Sequence, residues 1–181
     1  MSVMLLDAAD MRRTLGRMAH EILEANQGAE ELVVVGIMRR GYPIAKRLAF
    51  AMAQIEGTAV PCGKLNATPY RDDRPQSEVG GDLGESEIPF EVAGKTVILV
   101  DEVIYTGRTI RAALDTLFHF GRPKQVQLAV LIDRGHRELP IQPNYCGKVV
   151  ATEREDRVEV RVTEYDGSDE VVLQEAASIK A

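Results

Sequence analysis

Asp101 and Glu102 follow an apolar run, Val97-Ile98-Leu99-Val100, and precede Tyr105-Thr106-Gly107-Arg108-Thr109. The acids read as lying at the carboxyl end of a strand, which is where chemistry is expected in this string. The segment after them supplies backbone N–H groups, hydroxyls and a guanidinium just before a helical pattern, Ile110, Ala113, Leu114, Leu117. Such a place suits a phosphate monoester, because unpaired amides and the positive end of the helix macrodipole converge there. A plain βα connection would explain two acids and a glycine turn, so the weight rests on the whole string.

A second charged turn follows another apolar run. Leu32 to Ile37 leads into Met38-Arg39-Arg40-Gly41. Adjacent arginines can hold a diphosphate through charge-assisted bonds, and Gly41 would let the backbone come close. A basic helix start on the surface is the other reading.

The elements that must position these turns are legible in the hydrophobic pattern. The runs at 97–100 and 32–37, and a further one at 125–132, lack polar alternation, as strands buried on both faces of a parallel sheet do. Helical spacing recurs at Met11, Leu15, Met18, Ile22 after a capping Asp7, and at Ile44, Leu48, Met52, Ile55 after Pro43. Asn26 and Gly28 are expected to close the first helix. Thr58 to Leu65 is a weaker strand, placed near an edge by Pro61 and Gly63. Val158, Val160 and Val162 alternate with charged residues and are followed by Val171-Val172-Leu173, the pattern of a half-buried carboxy-terminal hairpin. Strands alternating with helices argue an α/β fold whose ligand crevice lies beyond the strand carboxyl ends.

With 181 residues, 45% of them hydrophobic, the chain suits one well-cored domain over 1–181. Its two cysteines, Cys62 and Cys146, show no metal-ligand spacing and read as thiols in a reducing compartment. No apolar run approaches the roughly 18 residues of a membrane span, and no leader pattern opens the chain, so a cytoplasmic protein with no membrane partner is expected. The net charge of −6 argues against indiscriminate nucleic-acid binding. Arg13, Arg17 and His20 share a helix face that Glu21 and Glu24 dilute; a solvated face is the first reading and a polyanion contact the second.

The string VILVDEVIYTGRT resembles the phosphoribosyl pyrophosphate (PRPP) signature of the type I phosphoribosyltransferases, with four hydrophobics, two acids and a T-G-R-T phosphate loop. In that family the turn at Arg39 to Gly41 is the pyrophosphate loop; Arg40 and Gly41 match, while Arg39 stands where Thr is usual. The stretch LNATPYRDDRP within 66–94, a connection long enough to be a lid, resembles the family's flexible catalytic loop. There Tyr70, Arg71, Asp72 and Asp73 match, and Asn66 and Pro69 depart. DRGHRELPI, from Asp133 to Ile141, narrows the likeness to the uracil phosphoribosyltransferases that also regulate pyrimidine operons. This resemblance covers the chain to about residue 164.

It implies a type I phosphoribosyltransferase fold, a central parallel sheet flanked by helices, with a lid loop at about 66–94. It implies that uracil and PRPP give UMP and diphosphate, with Mg²⁺. Asp101 and Glu102 would meet the ribose hydroxyls and, largely through substrate, the metal; Glu102 replaces a common Asp. Tyr105, Thr106, Gly107, Arg108 and Thr109 would cradle the 5′-phosphate, Arg39, Arg40 and Gly41 the pyrophosphate, and Ile132, Asp133 and Arg134 the uracil edge. Arg71 would arrive with the loop. Ala151-Thr152 stands where a Thr-Ser pair is usual. The likeness further implies UMP or UTP as effector, leader RNA of a pyrimidine operon as partner and a homo-oligomer. Arg13, Arg17, His20, His136, Arg137 and Lys148 are the basic candidates for RNA, through contacts that weaken steeply with salt. A purine or orotate transferase, or a regulator whose transferase activity has decayed, are the alternatives.

Overall fold

Strands that are apolar along their whole length need cover on both faces, and the computed structural model, which describes residues 1–70 and 84–176, provides it. In chain order the elements are β1 (Ser2–Leu6), α1 (Ala8–Asn26), β2 (Leu32–Ile37), α2 (Gly41–Glu56), β3 (Cys62–Leu65), β4 (Thr96–Ile104), α3 (Arg108–Leu117), β5 (Gln125–Asp133), β6 (Tyr145–Val149), β7 (Arg157–Arg161), α4 (Thr163–Asp166) and β8 (Glu170–Gln174). Single 3₁₀ turns lie at Thr68–Tyr70 and Phe118–Phe120.

Five of the strands form a parallel sheet in the order β3-β2-β4-β5-β6, with β4 at its centre. Alternate residues serve opposite faces. Val34, Ile98, Val100, Ala129 and Leu131 belong to the core under α1 and α2, while Val33, Val35, Val97, Leu99 and Val130 belong to the core under α3. The fully buried Met11, Met18, Ile22, Ile44, Leu48 and Met52 seal the first face, each worth about 1.5–3 kcal/mol by its removal from water.

The helix ends follow from local chemistry. Asp7 accepts from Asp10 N–H at 2.8 Å while Asp10 accepts from Asp7 N–H at 3.1 Å, a capping box with Asp at its third position. Helix α1 closes on Gln27, which adopts the left-handed conformation, one residue from the expected Asn26. Ile55, expected inward, is 41% exposed, because α2 meets the core only through Ile44, Leu48 and Met52 on that stripe.

Three further corrections concern strands. β4 does not stop at Val100: β5 is equally long, and the ladder continues through Val103↔Ile132 and Ile104↔Asp133, so Asp101 and Glu102 lie within the strand. β6 was not anticipated, since Tyr-Cys-Gly-Lys-Val lacks a β-branched run. A Cβ on Gly147 would lie 2.4 Å from the Leu131 carbonyl oxygen and 2.7 Å from Thr14 Cγ2, so glycine is what lets α1 press on β6. The expected carboxy-terminal hairpin is part of a second, antiparallel sheet of order β1-β8-β7, whose β1 was missed because it is short and largely exposed. Helix α4 and Gly167, at φ +76°, join β7 to β8.

β3 is an edge strand, as Pro61 and Gly63 suggest. Glu87, in the stretch expected to form a lid, pairs with Lys64 of that edge through reciprocal bonds of 2.9 Å. Arg71, Asp72 and Asp73 lie outside the described residues.

Candidate functional site

The floor of the site is the carboxyl end of β4. Asp101 is only 5% exposed, and its Oδ1 accepts from the Glu102 N–H at 2.9 Å. Glu102 is half-buried. The turn that opens α2 lies directly against them: a Cβ on Gly41 would come within 2.8 Å of the Val100 carbonyl oxygen and 3.2 Å of Asp101 Oδ1. The missing side chain is what allows the approach. The Met38–Arg39 peptide bond in this turn is cis.

A second wall is Tyr105 to Thr109. Gly107 takes φ +94°, a conformation glycine adopts without strain, and starts α3 with no side chain capping it. Thr106 Oγ1 accepts from Arg108 N–H at 3.2 Å. Gly107 offers no side chain to the opening amides of α3, a place that suits an anion. The Arg108 side chain is held by Glu138, 3.1 Å from its Nε, and Glu138 also meets Arg154 at 3.2 Å. These two guanidinium groups, Arg108 first, keep the Glu138 carboxyl below its ordinary value of 4.5.

The third wall follows β5. Arg134 is 8% exposed. Its guanidinium donates to the Asp156 and Glu153 carbonyls, both at 2.9 Å, and lies 4.1 Å from the centroid of the Tyr105 ring. Burial lowers its pKa. Its Nε is the one buried side-chain nitrogen or oxygen among the described residues with no hydrogen-bond partner. Arg137 binds Asp133 at 2.6 Å and the Tyr105 carbonyl at 2.9 Å, tying this loop to the phosphate-type loop. His136 contacts the Thr152 carbonyl at 2.7 Å. The side chains of Asp133, Arg134 and Arg137 are therefore spent on bracing.

These walls enclose a cleft of about 250 Å³ lined by Asp101, Tyr105, Thr106, Gly107, Thr109 and Arg134, with Val158 of β7 on its rim. Two wider grooves, of about 730 and 750 Å³, lie beside Leu114, Phe118 and Ile141 and between α1 and α2. Neither holds Asp101 or the glycine loop, so chemistry and not size selects the smaller cleft.

Arg40 has a partner that local reading could not supply. Its Nε and Nη2 reach the two Asp166 oxygens at 3.1 and 2.7 Å, and the residues are 126 positions apart. Arg39 lies 5.6 Å from the Tyr165 ring centroid. Of the remaining basic candidates, Arg13 pairs with Asp10, and Arg17 with Glu21 and the Gly147 carbonyl. Lys148 of β6 donates to the Leu5 carbonyl at 3.3 Å, next to the Gly147 carbonyl that Arg17 reaches. His20 is exposed on α1.

Among the described residues no group of three or more His, Cys, Asp or Glu could hold a metal ion. Asp101 and Glu102 are hard oxygen donors, which fits a Mg²⁺ ion bound mainly through substrate oxygens and not in a protein cage. Cys62 and Cys146 are free thiols; burial pushes Cys62 up to about 11, which makes it a poor nucleophile.

A parallel sheet with paired acids on its central strand, a glycine loop opening the next helix and an arginine-glycine turn opposite is the arrangement of a phosphoribosyltransferase. The family model "phosphoribosyl transferase domain" matches residues 3–166. The fold is that of hypoxanthine-guanine phosphoribosyltransferase from Bacillus anthracis, with TM-score 0.69 at 20% identity over 95% of this chain and 97% of that one. Hypoxanthine phosphoribosyltransferase from Trypanosoma cruzi gives 0.73 at 15% identity, over 97% and 96%. Sequence relatives are nearer. The chain is 54% identical over 173 residues to the Bifunctional protein PyrR of Pelotomaculum thermopropionicum, covering 96% of each, and 53% identical over 177 residues to that of Alkaliphilus metalliredigens, covering 98% and 97%. The chain belongs to the PyrR family of phosphoribosyltransferases.

Proposed function

We propose that the protein is a uracil phosphoribosyltransferase, converting uracil and PRPP to UMP and diphosphate, and that uridine nucleotides in the same cleft govern binding to leader RNA of pyrimidine genes. The observation that carries the first part is the meeting of three loops on buried Asp101: Gly41 against its carboxylate, and the Thr106–Thr109 loop and Arg134 around the same cleft.

The reaction displaces pyrophosphate at C1′, and positive charge develops on the ribose while negative charge develops on the leaving group. Asp101 and Glu102 take the ribose hydroxyls and offset the sugar's charge. Asp101 is already held by the Glu102 amide and needs little reorganisation. The backbone of Thr106 to Thr109, with the Thr hydroxyls and Tyr105, takes the 5′-phosphate at the start of α3. The Arg108 side chain is engaged by Glu138 and its amide donates to Thr106 Oγ1, so the later amides of the α3 start are the groups offered to phosphate. Arg39, Arg40 and the Gly41 backbone receive the pyrophosphate. The backbone around Ile132, Asp133 and Arg134 reads the uracil edge; the Asp133 and Arg134 side chains brace the loop. Arg71, the further catalytic candidate, lies outside the described residues. Bound Mg²⁺, held by Asp101 and Glu102 largely through substrate, supplies charge neutralisation. Of the basic candidates for RNA, Arg13, Arg17, His20, His136 and Lys148 stand, while the Arg137 guanidinium is committed to Asp133 and the Tyr105 carbonyl. The chain acts as a single domain in the cytoplasm, as a homo-oligomer; among the described residues no helix is long and apolar enough to cross a membrane.

Asp101→Asn keeps the shape and removes the charge. We expect it to lower UMP formation on the order of 10²-fold or more, the scale of a preorganised electrostatic contact, with Arg13→Ala near the unchanged protein. Equal losses in the two variants would refute the assignment.

A further inference from the structure

Asp166 stands at the far end of the chain from the pyrophosphate turn, yet both its oxygens face Arg40, at 2.7 and 3.1 Å. The pair is half screened from solvent: the Arg40 side chain is 36% exposed and that of Asp166 18%. Asp166 is itself fixed. Its Oδ2 accepts from the Val162 N–H at 2.9 Å, and its own N–H donates to the Val162 carbonyl at 2.8 Å. The α4 turn that carries it is bound to α2 by a second arginine, Arg47, at 2.7 Å from Glu164 and 2.9 Å from Asp169. Arg39 packs over Tyr165 of the same turn. One rigid turn of the small sheet therefore holds both arginines of the pyrophosphate turn and the helix behind them.

The guanidinium geometry decides what this contact can do. A guanidinium has five N–H donors in a planar fork. Asp166 occupies the Nε and Nη2 edge, which leaves the Nη1 groups and the second Nη2 hydrogen directed along the opposite edge. That edge is a second bidentate face of the kind that pairs with phosphate oxygens. Glu102 also attracts Arg40 electrostatically. Without Asp166 the cation would be drawn toward the acids assigned to the ribose, and the two halves of the substrate site would neutralise each other.

We infer that Asp166 is a positioning residue for the leaving group: it holds Arg40 away from Asp101 and Glu102, with its outer edge presented to the pyrophosphate of PRPP. This rests on the reading of Arg40 as a pyrophosphate contact. It gives the small sheet a part in substrate recognition that its distance in sequence conceals.

The test compares Asp166→Asn, Asp166→Glu and Arg40→Gln with the unchanged protein. Calorimetric affinities for PRPP and for inorganic pyrophosphate, both with Mg²⁺, are measured beside the KM for uracil and the thermal midpoint. Asp166→Asn is expected to weaken PRPP and pyrophosphate roughly ten-fold, about 1.4 kcal/mol, with the uracil KM little changed and the midpoint lowered no more than in Arg40→Gln. Asp166→Glu should recover part of the loss. Adding Asp166→Asn to Arg40→Gln should cost nothing further, because the effect travels through Arg40. Tighter PRPP binding in Asp166→Asn would overturn the inference in favour of a carboxylate that competes with substrate. A parallel fall of both affinities, the uracil KM and the midpoint would reduce Asp166 to a brace of the fold. Unchanged PRPP affinity in Asp166→Asn, beside a loss in Arg40→Gln, would refute it while keeping Arg40. Unchanged affinity in Arg40→Gln would instead overturn the reading of Arg40 itself, and the inference with it.

Discussion

Gly41 is where backbone, acid and substrate loop share the least space. A methyl group there would stand 2.8 Å from the Val100 carbonyl oxygen and 3.2 Å from Asp101 Oδ1, and the first of these neighbours is backbone of the central strand. Gly41→Ala should therefore push the arginine turn off β4. We expect it to cost about 1–3 kcal/mol of stability, the usual range for overpacking, and to weaken PRPP more than uracil, as read by urea unfolding and by titration of each ligand. A variant as stable and as tight-binding as the unchanged protein would show that the turn can yield. Gly41, Gly107 and Asp101 were legible in the sequence because each belongs to a contiguous string whose chemistry is local. Asp166 and Glu138 were not: the first reaches Arg40 across 126 positions and the second reaches Arg108 across 30. No periodicity encodes such a pairing. The same distance explains why the Arg108 guanidinium, read as a phosphate ligand, is bound to an acid.

Strands and helices with strong apolar patterns were recovered to within a residue or two, as at β2, α1 and β5, because burial on both faces or one stripe leaves a periodic mark. The two strands that escaped, β1 and β6, are held by partners and not by composition: β1 by the β8 ladder, β6 by Gly147 under α1. The end of β4 was misplaced for a related reason, since its length is set by β5. The small sheet makes a testable contribution to acid stability. Asp166 lies below the ordinary carboxylate value of 3.8, chiefly through Arg40 and then the Val162 amide. Burial alone would raise Asp169, but Arg47 and Thr163 outweigh it and leave its pKa lowered too. Carboxylates whose folded pKa is depressed contribute stability that is complete above the unfolded value and is lost as pH falls through the folded one. The urea midpoint should therefore be insensitive to these two groups between about pH 5 and 7 and fall below about pH 4. In the variant Asp166→Asn with Asp169→Asn, the acid limb should be shallower, and an unchanged limb would remove these groups from the account.

At the scale of the whole molecule, the parallel sheet gathers loops from residues 38–41, 101–109 and 132–137 at one end, while the second sheet brings Asp166 and Val158 to the same place. A chain with net charge −6 can still place cations locally, and here Arg134 lines the cleft beside Asp101 while Arg39 and Arg40 flank Gly41, whose backbone meets Asp101. That balance suits a substrate that is anionic at both phosphate ends and turns cationic in its sugar during reaction. The solved structures of similar fold act on hypoxanthine or guanine by name, so the fold leaves the base open. The most direct measurement is therefore product formation from PRPP with uracil, orotate, hypoxanthine and guanine offered together, with and without Mg²⁺. The account predicts UMP as the dominant product and its loss when Mg²⁺ is removed. A purine or orotate nucleotide as the main product, or no transfer to any base by a protein that still binds UMP, would contradict it.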